Sequence, residues 1–237
     1  MRGSFLAGVL AAGLAGLPGA ANSHEMHKPV AEQSAVYAFP IASPGSYRLP
    51  PIKRAAGGAV LDENGRRYDL AGLLGGRATV LSFIYTRCGD VCPTASLDMS
   101  LLQDLAAKDA HVSQHLRLIS MSFDPDYDTP EIMRDYAAEW RSRDKAAPEW
   151  LFLTAPDRTA LAPVLTSYNQ TVDRNAPSNS DGPAFNHIFR AFLVDGHGRM
   201  RNIYSLDFFD PKLVINDVRT LLLEQAAETE PAAHPHK

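Results

Sequence analysis

The chain alternates between unbroken apolar runs and segments whose apolar residues recur at helical spacing. Residues 79–85 and 116–123 are continuous apolar runs, which is typical of strands buried on both faces. Residues 93–107 predict a helix that begins with a proline and carries its leucines on one face. The other predicted elements are a hairpin at 59–68, a helix that begins at Thr129, a strand at 150–153, a helix near 160–168, a hairpin formed by 187–195 and 199–206, and a helix at 211–223.

This order of elements predicts one α/β domain with a mixed sheet, spanning residues 50–223. Residues 169–186, rich in Asn, Ser, Asp, Gly and Pro, are expected to form a polar loop. Residues 22–49 are rich in Ala, Ser, Pro and Gly without a clear period, which predicts a flexible linker. Residues 224–237 lack an apolar stripe, so we expect a disordered tail.

Residues 1–21 have the pattern of an export signal. A cation at Arg2 precedes an apolar run, and small residues follow up to Ala21. Pro18 and the neighbouring glycines disfavour the alternative, an uncleaved anchor helix. We therefore expect an exported, periplasmic protein that meets the membrane only if the signal stays uncleaved. Disulfides can persist in that compartment.

Charge and cysteine content exclude several classes of function. The 23 basic and 27 acidic residues give a net charge of -4, which argues against a non-specific nucleic-acid binder. The two cysteines are too few for a disulfide-dense scaffold or a site of four thiolates. Glycine-rich phosphate-binding fingerprints are absent from the sequence, so nucleotide binding has no support.

The candidate chemistry is concentrated where the first buried strand meets the helix at 93–107. Cys88 and Cys92 are four residues apart, about one helical turn, and can close a disulfide or bind one soft metal ion. The helix N-terminus and Arg87 both favour thiolate over thiol. The pair therefore indicates redox chemistry or metal binding, and spacing alone does not choose between them.

Two thiolates leave a metal ion short of ligands, and histidine is the usual nitrogen donor. His111 and His115 precede a strand and His197 lies in a hairpin turn, whereas His187 stands where the polar loop enters an apolar strand. His187 is therefore a candidate third ligand, the alternative being an ordinary surface or core histidine.

The acids nearest to the cysteines by motif are Asp90 and Asp124. Each can adjust the charge of the site or contact a partner. The alternative is structural, with Asp90 at the start of a helix and Asp124 in a turn.

Three blocks together resemble the Sco/SenC family: T-R-C-G-D-V-C-P at 86–93, S-F-D-P-D-Y-D-T-P at 122–130, and His187 leading into a strand. The resemblance covers roughly 47–223. It implies a thioredoxin-like fold, a central mixed sheet flanked by helices, and copper bound by Cys88, Cys92 and His187. It also implies a metallochaperone that helps to assemble the copper A centre of cytochrome c oxidase. The implied partners are the copper subunit of that oxidase, or another exported copper protein, and a thiol-disulfide reductant.

The chain departs from the family pattern at three points. Gly89 stands where proline is usual, Tyr127 replaces a common arginine and so removes a cation near the site, and the usual membrane anchor appears as a cleavable signal. Two other functions remain open: an exported thiol-disulfide oxidoreductase that uses Cys88 and Cys92 alone, and a copper or redox sensor. For the leading hypothesis we expect the 169–186 segment to be disordered without copper and ordered with it.

Overall fold

The computed structural model describes residues 41–89, 91–175 and 185–229, which belong to one compact unit. The strands are β1 (Lys53–Arg54), β2 (Ala59–Asp62), β3 (Arg67–Asp69), β4 (Ala78–Ile84), β5 (Leu116–Ser122), β6 (Glu149–Thr154), β7 (Val172–Arg174), β8 (Phe185–His187), β9 (Ala191–Val194) and β10 (Arg199–Tyr204). The helices are α1 (Leu70–Leu73), α2 (Val91–Ala107), α3 (Ala110–His115), α4 (Pro130–Trp140), α5 (Arg158–Ser167) and α6 (Pro211–Thr229), with a 3₁₀ turn at Leu206–Phe208.

A mixed sheet organises the described residues, with strand order β1-β10-β9-β4-β5-β6-β2-β3. The three central strands β4, β5 and β6 are parallel, and their register aligns Val80 with Leu118 and Leu118 with Trp150. β9 joins the other side of β4 in the antiparallel sense. All seven residues of β4 are buried, because the strand is covered on both faces, and this explains its unbroken apolar sequence. The predicted α/β class and mixed sheet are confirmed.

The turn and the helix starts that are determined by neighbouring side chains lie close to their predicted positions. The β2–β3 hairpin turns on Asp62, whose Oδ1 accepts from the backbone N of Asn64 and of Arg66, each at 2.8 Å. Thr129 caps α4 ahead of Pro130, as predicted. α5 begins at Arg158 because Asp157 caps it, so the helix starts slightly earlier than the apolar pattern suggests.

The buried face of α2 differs from the predicted leucine stripe. Leu97 and Leu101 are 40% and 39% exposed, whereas Met99 and Leu102 are fully buried. Gln103 is buried with them because its amide is satisfied: Nε2 donates to the Pro148 carbonyl and Oε1 accepts from the Ser142 backbone N, both at 2.8 Å. The helix therefore packs a mixed face of small, polar and apolar residues against the domain.

The strand predicted at 187–195 is split. β9 joins the central sheet, but β8 ends at His187 and pairs with β7 in a separate two-stranded sheet. Thus both ends of the predicted 169–186 loop contain a strand, and residues 176–184 lie outside the described residues. This pairing joins the two ends of the polar segment, for example Val172 with His187, and the spacing of apolar residues does not reveal it.

The predicted flexible ends also differ where the structure describes them. Residues 41–49 of the predicted linker lie along α6: the Gly45 backbone N donates to Thr220 Oγ1 at 3.0 Å, and Tyr47 Oη donates to Asp217 Oδ1. α6 itself continues to Thr229, into the predicted tail. The predicted signal peptide (1–21), residues 22–40 of the predicted linker and residues 230–237 of the predicted tail lie outside the described residues. None of the described helices combines the length and apolarity that a membrane span requires.

Candidate metal centre

The two cysteines lie at the junction of β4 and α2, as predicted. Both side chains are buried, and both are thiols rather than a disulfide. The backbone N of Cys92 donates to Cys88 Sγ at 3.3 Å, so the sulfur of Cys88 accepts from the first turn of the helix. A hydrogen bond from the Cys92 thiol to Cys88, together with burial, raises the pKa of Cys92. Cys88 is therefore the accepting sulfur of the pair and Cys92 the donating one.

This asymmetry corrects the expectation that both cysteines favour the thiolate. The N-terminal end of α2 supports negative charge on Cys88, but Cys92 loses solvation inside the core. Arg87, which was expected to favour the thiolates, is held by Asp124, because its Nη2 donates to Asp124 Oδ2 at 2.6 Å. The carboxylate compensates the guanidinium charge.

An aromatic cluster borders the cysteines and includes the candidate histidine. Tyr85, the last residue before the cysteine loop, is hydrogen-bonded to Cys88, and burial raises the pKa of its hydroxyl. The ring centroid of Tyr85 lies 5.1 Å from those of Phe123 and Phe185 and 5.9 Å from that of His187. His187 also lies 4.7 Å from Phe123. The structure thus brings the three predicted blocks of sequence together through these rings.

His187 lies in β8 with its Nε2 buried. The candidate ligands are not gathered in the geometry of a metal site. Among the described residues, no three side chains of His, Cys, Asp or Glu lie close enough to each other to bind one metal ion. The other histidines considered from sequence have different neighbours. His111 and His115 stack on each other in α3, and His197 lies 3.6 Å from Glu228.

Asp124 is the acid that links the candidate ligands' segments. It is 1% exposed, and its two oxygens take different arginines: Oδ2 accepts from Arg87, and Oδ1 accepts from Arg174 Nη2 at 3.3 Å. Arg87 belongs to the cysteine loop and Arg174 to β7, the partner strand of β8. Asp124 is therefore more than a turn residue. Asp90, the other acid proposed from sequence, lies outside the described residues.

Asp128 is a structural acid that sequence reasoning missed. It is fully buried and accepts from the Thr86 backbone N at 3.1 Å and from the hydroxyls of Thr86 and Ser122. Burial raises the pKa of Asp128, although these hydrogen bonds oppose the shift. The sequence contained one signal for a buried acid: three aspartates recur within the short segment S-F-D-P-D-Y-D. Acids so close together in one loop differ in exposure, and here Asp126 is half exposed while Asp128 is buried.

Arginine side chains surround Tyr127 and the neighbouring loop. The guanidinium carbon of Arg87 lies 4.0 Å from the centre of the Tyr127 ring, a cation–π contact. Arg174 makes a similar contact with Phe185 at 4.8 Å, and Arg158 pairs with Asp126. Arg87 thus places a positive charge directly over the tyrosine.

Solved structures share this architecture. The structure of Arabidopsis thaliana ScoI with copper bound superposes with a TM-score of 0.61 at 20% identity, covering 72% of this chain and 98% of that one. Bradyrhizobium japonicum ScoI with copper bound gives a TM-score of 0.57 at 25% identity, covering 73% and 98%. BsSco, described as a member of the Sco family of cytochrome c oxidase assembly proteins with a disulfide switch, gives 0.57 at 22% identity, covering 74% and 98%. The predicted thioredoxin-like fold is confirmed.

Sequence comparison agrees with the fold. The SCO1 protein homolog of Bacillus subtilis is 26% identical over 167 residues, which cover 70% of this chain and 77% of that protein. The family model described as SCO1/SenC matches residues 59–223, well over half of the chain and nearly all of the domain built on the central sheet. The match includes both cysteines, the aspartate-rich loop and His187. The chain therefore belongs to the SCO1/SenC family.

Proposed function

We propose that this protein is a copper metallochaperone that binds copper through Cys88, Cys92 and His187 and assists assembly of the copper A centre of cytochrome c oxidase. The observation that carries the proposal is the aromatic cluster, because Tyr85 contacts both Cys88 and His187. Family members with copper bound support copper as the metal. Copper is cargo in this proposal, and the protein is a carrier rather than an enzyme.

The donor set suits copper. Two thiolates and one imidazole form a soft site that favours Cu(I) and also accepts Cu(II). The thiol of Cys92 holds its proton because burial and the hydrogen bond to Cys88 raise its pKa, so copper must displace that proton. Oxidation of the pair to a disulfide removes both sulfur ligands, which couples copper release to redox state.

The third ligand stands on an element that can move by itself. His187 belongs to the β7–β8 sheet, which is separate from the sheet that contains β4 and the other central strands. Its imidazole can approach or leave the sulfurs without a change in the central sheet. A carrier needs such a ligand, since a partner takes the metal only when one donor gives way.

Location and partners follow from the same proposal. Export through residues 1–21 would place the protein where copper centres of exported oxidases are built. The recipient would be the copper subunit of cytochrome c oxidase or another exported copper protein, in line with the description of BsSco as an assembly protein. A thiol-disulfide reductant would keep Cys88 and Cys92 reduced for the next cycle.

A thiol-disulfide oxidoreductase is the second candidate, and one observation favours it. Both the backbone N and the thiol of Cys92 are directed to the sulfur of Cys88, so the two sulfurs are already neighbours. Exchange with a partner cysteine would need this pair alone. A sensor that reports copper or redox state would use the same residues.

Anaerobic copper titration of the reduced protein, followed by X-ray absorption spectroscopy, tests the assignment. We expect one equivalent of copper with two sulfur neighbours and one nitrogen. His187→Ala should weaken binding by about a hundredfold and remove the nitrogen, since even supporting residues of metal sites contribute about ten- to a hundredfold. His197→Ala, a substitution of an exposed histidine beside Glu228, is the matched control and should bind like the wild type. Absence of binding at sub-micromolar free copper, with disulfide reductase activity instead, would favour the oxidoreductase.

A further inference from the structure

We propose that Arg174 and Asp124 form an anchor that holds the β7–β8 hairpin against the cysteine loop and thereby positions His187. The inference rests on the proposed function, because it assigns a role to residues that touch neither the sulfurs nor the metal. Arg174 and Asp124 are positioning residues in this scheme.

Asp124 carries the anchor because its carboxylate is buried and must be compensated. Its Oδ2 binds Arg87 at 2.6 Å, and its Oδ1 binds Arg174 at 3.3 Å. A buried carboxylate without such partners would be strongly unfavourable, so both arginines are held to it. One side chain therefore ties together the cysteine loop, the loop after β5 and the histidine hairpin.

The register of the hairpin transmits this anchor to the imidazole. Arg174 pairs with Phe185 across the two strands, and its guanidinium lies 4.8 Å from the centre of that ring. Phe185 and His187 are two residues apart on β8, so their side chains share a face. Both contact Phe123, at 5.5 Å and 4.7 Å between ring centroids. A contact that fixes Phe185 against Phe123 fixes His187 on the same ring.

The hairpin needs such an anchor because it is small. β7 and β8 contain three residues each and form a sheet of their own. Two-stranded hairpins are marginally stable in water unless they pack against something else. If His187 is a ligand, the apparent affinity for copper scales with the fraction of molecules in which the hairpin is in place. Loss of the anchor should therefore weaken copper binding through His187 and through no other ligand.

A double-mutant cycle of Arg174→Gln and His187→Ala tests this, with copper affinity measured by competition against a chromophoric chelator. Arg174→Gln should weaken binding by about fivefold, the effect of losing a half-exposed ion pair. In the His187→Ala background it should have no effect, because the ligand that it positions is already absent. Arg77→Gln is the matched control, since Arg77 forms a half-exposed ion pair with Glu149 at 3.4 Å, away from the hairpin, and it should stay within about twofold of the wild type. Arg174→Lys should restore part of the loss.

Spectroscopy and hydrogen exchange make the result decisive. Copper-loaded Arg174→Gln should show a reduced nitrogen contribution in X-ray absorption, with both sulfurs retained. In the metal-free protein, the amides of β7 and β8 should exchange faster in Arg174→Gln than in Arg77→Gln. Equal losses of affinity in both backgrounds, or unchanged exchange in the hairpin, would overturn the anchor. Failure of the wild type to bind copper would overturn the proposed function instead, and the exchange comparison would still decide the anchor.

Discussion

Substitution of Asp128 by asparagine should loosen the cysteine loop more than any other single change in the aspartate-rich loop. The Asp128 carboxylate is fully buried and accepts from the Thr86 backbone N and hydroxyl and from the Ser122 hydroxyl. Thr86 directly precedes Arg87 and Cys88, so these hydrogen bonds determine where the loop leaves β4. An amide in place of the carboxylate keeps one acceptor oxygen and puts an NH₂ group in the place of the other, so at least one of the three donors loses its acceptor.

The expected loss follows from these contacts. A hydrogen bond to a charged group contributes about 1.5–3 kcal/mol, and a buried donor left without an acceptor costs about 1–3 kcal/mol. Burial raises the pKa of Asp128 despite these hydrogen bonds, so desolvation of the carboxylate outweighs their stabilisation of its charged form. We therefore expect Asp128→Asn to lower the free energy of unfolding by about 2 kcal/mol, the cost of one buried donor left without its acceptor.

Asp126→Asn is the matched control, two residues away in the same loop. Asp126 is half exposed and pairs with Arg158, an arrangement that contributes less than about 1 kcal/mol. Urea unfolding of the reduced, metal-free variants at neutral pH measures both free energies. Copper affinity of Asp128→Asn should also fall, because Cys88 no longer has a fixed position. Equal unfolding free energies for the two variants would refute the assignment of Asp128 as the residue that holds the cysteine loop.

Two further predictions concern stability. Burial, and to a smaller extent the charge of Asp210, raises the pKa of Asp98 to about 6. The folded state therefore favours the protonated form, and stability is gained as pH falls through about 6 towards 3.8. After allowance for solvent screening, Asp98→Asn should be about 1 kcal/mol more stable at pH 7, and this difference should vanish at pH 4 in urea unfolding. On α2, Met99→Ala should lower the free energy of unfolding by about 3 kcal/mol, and Leu97→Ala by less than about 1 kcal/mol, in the same assay. The reverse order would contradict the buried face of the helix.

Sequence patterns predicted the parts of the fold that depend on neighbours in the chain. The unbroken apolar run of β4, the Asp62 turn and the Thr129 cap each express a preference that acts within a few residues. The face of α2 was mispredicted because its buried polar residue Gln103 is satisfied by a loop near residue 148, far away in sequence. Apolar spacing alone cannot anticipate a partner of that kind.

The candidate site shows the same division. Cys88 and Cys92 could be identified from spacing, and His187 from the combination of motifs, because the residue types themselves indicate soft-metal chemistry. The ion pair of Asp124 with Arg174 could not be predicted in this way, since it joins β7 to a loop 50 residues earlier in the chain. The raised pKa of Cys92 could not be predicted from the sequence either, because it depends on the direction of one hydrogen bond between the thiols and on burial.

The aspartate-rich loop explains why three separate blocks of sequence act as one site. Asp128 holds Thr86 at the start of the cysteine loop, whereas Asp124 holds Arg87 in that loop and Arg174 beside the histidine strand. Among their described contacts, neither acid meets a sulfur, so both act on the positions of the candidate ligands rather than on the metal. A carrier built this way can keep its thiols in a rigid core position while its imidazole stays on a weakly held hairpin. Asp128 would then fix the position of the sulfurs and Arg174 that of the imidazole, so two separate places in the protein would control copper affinity.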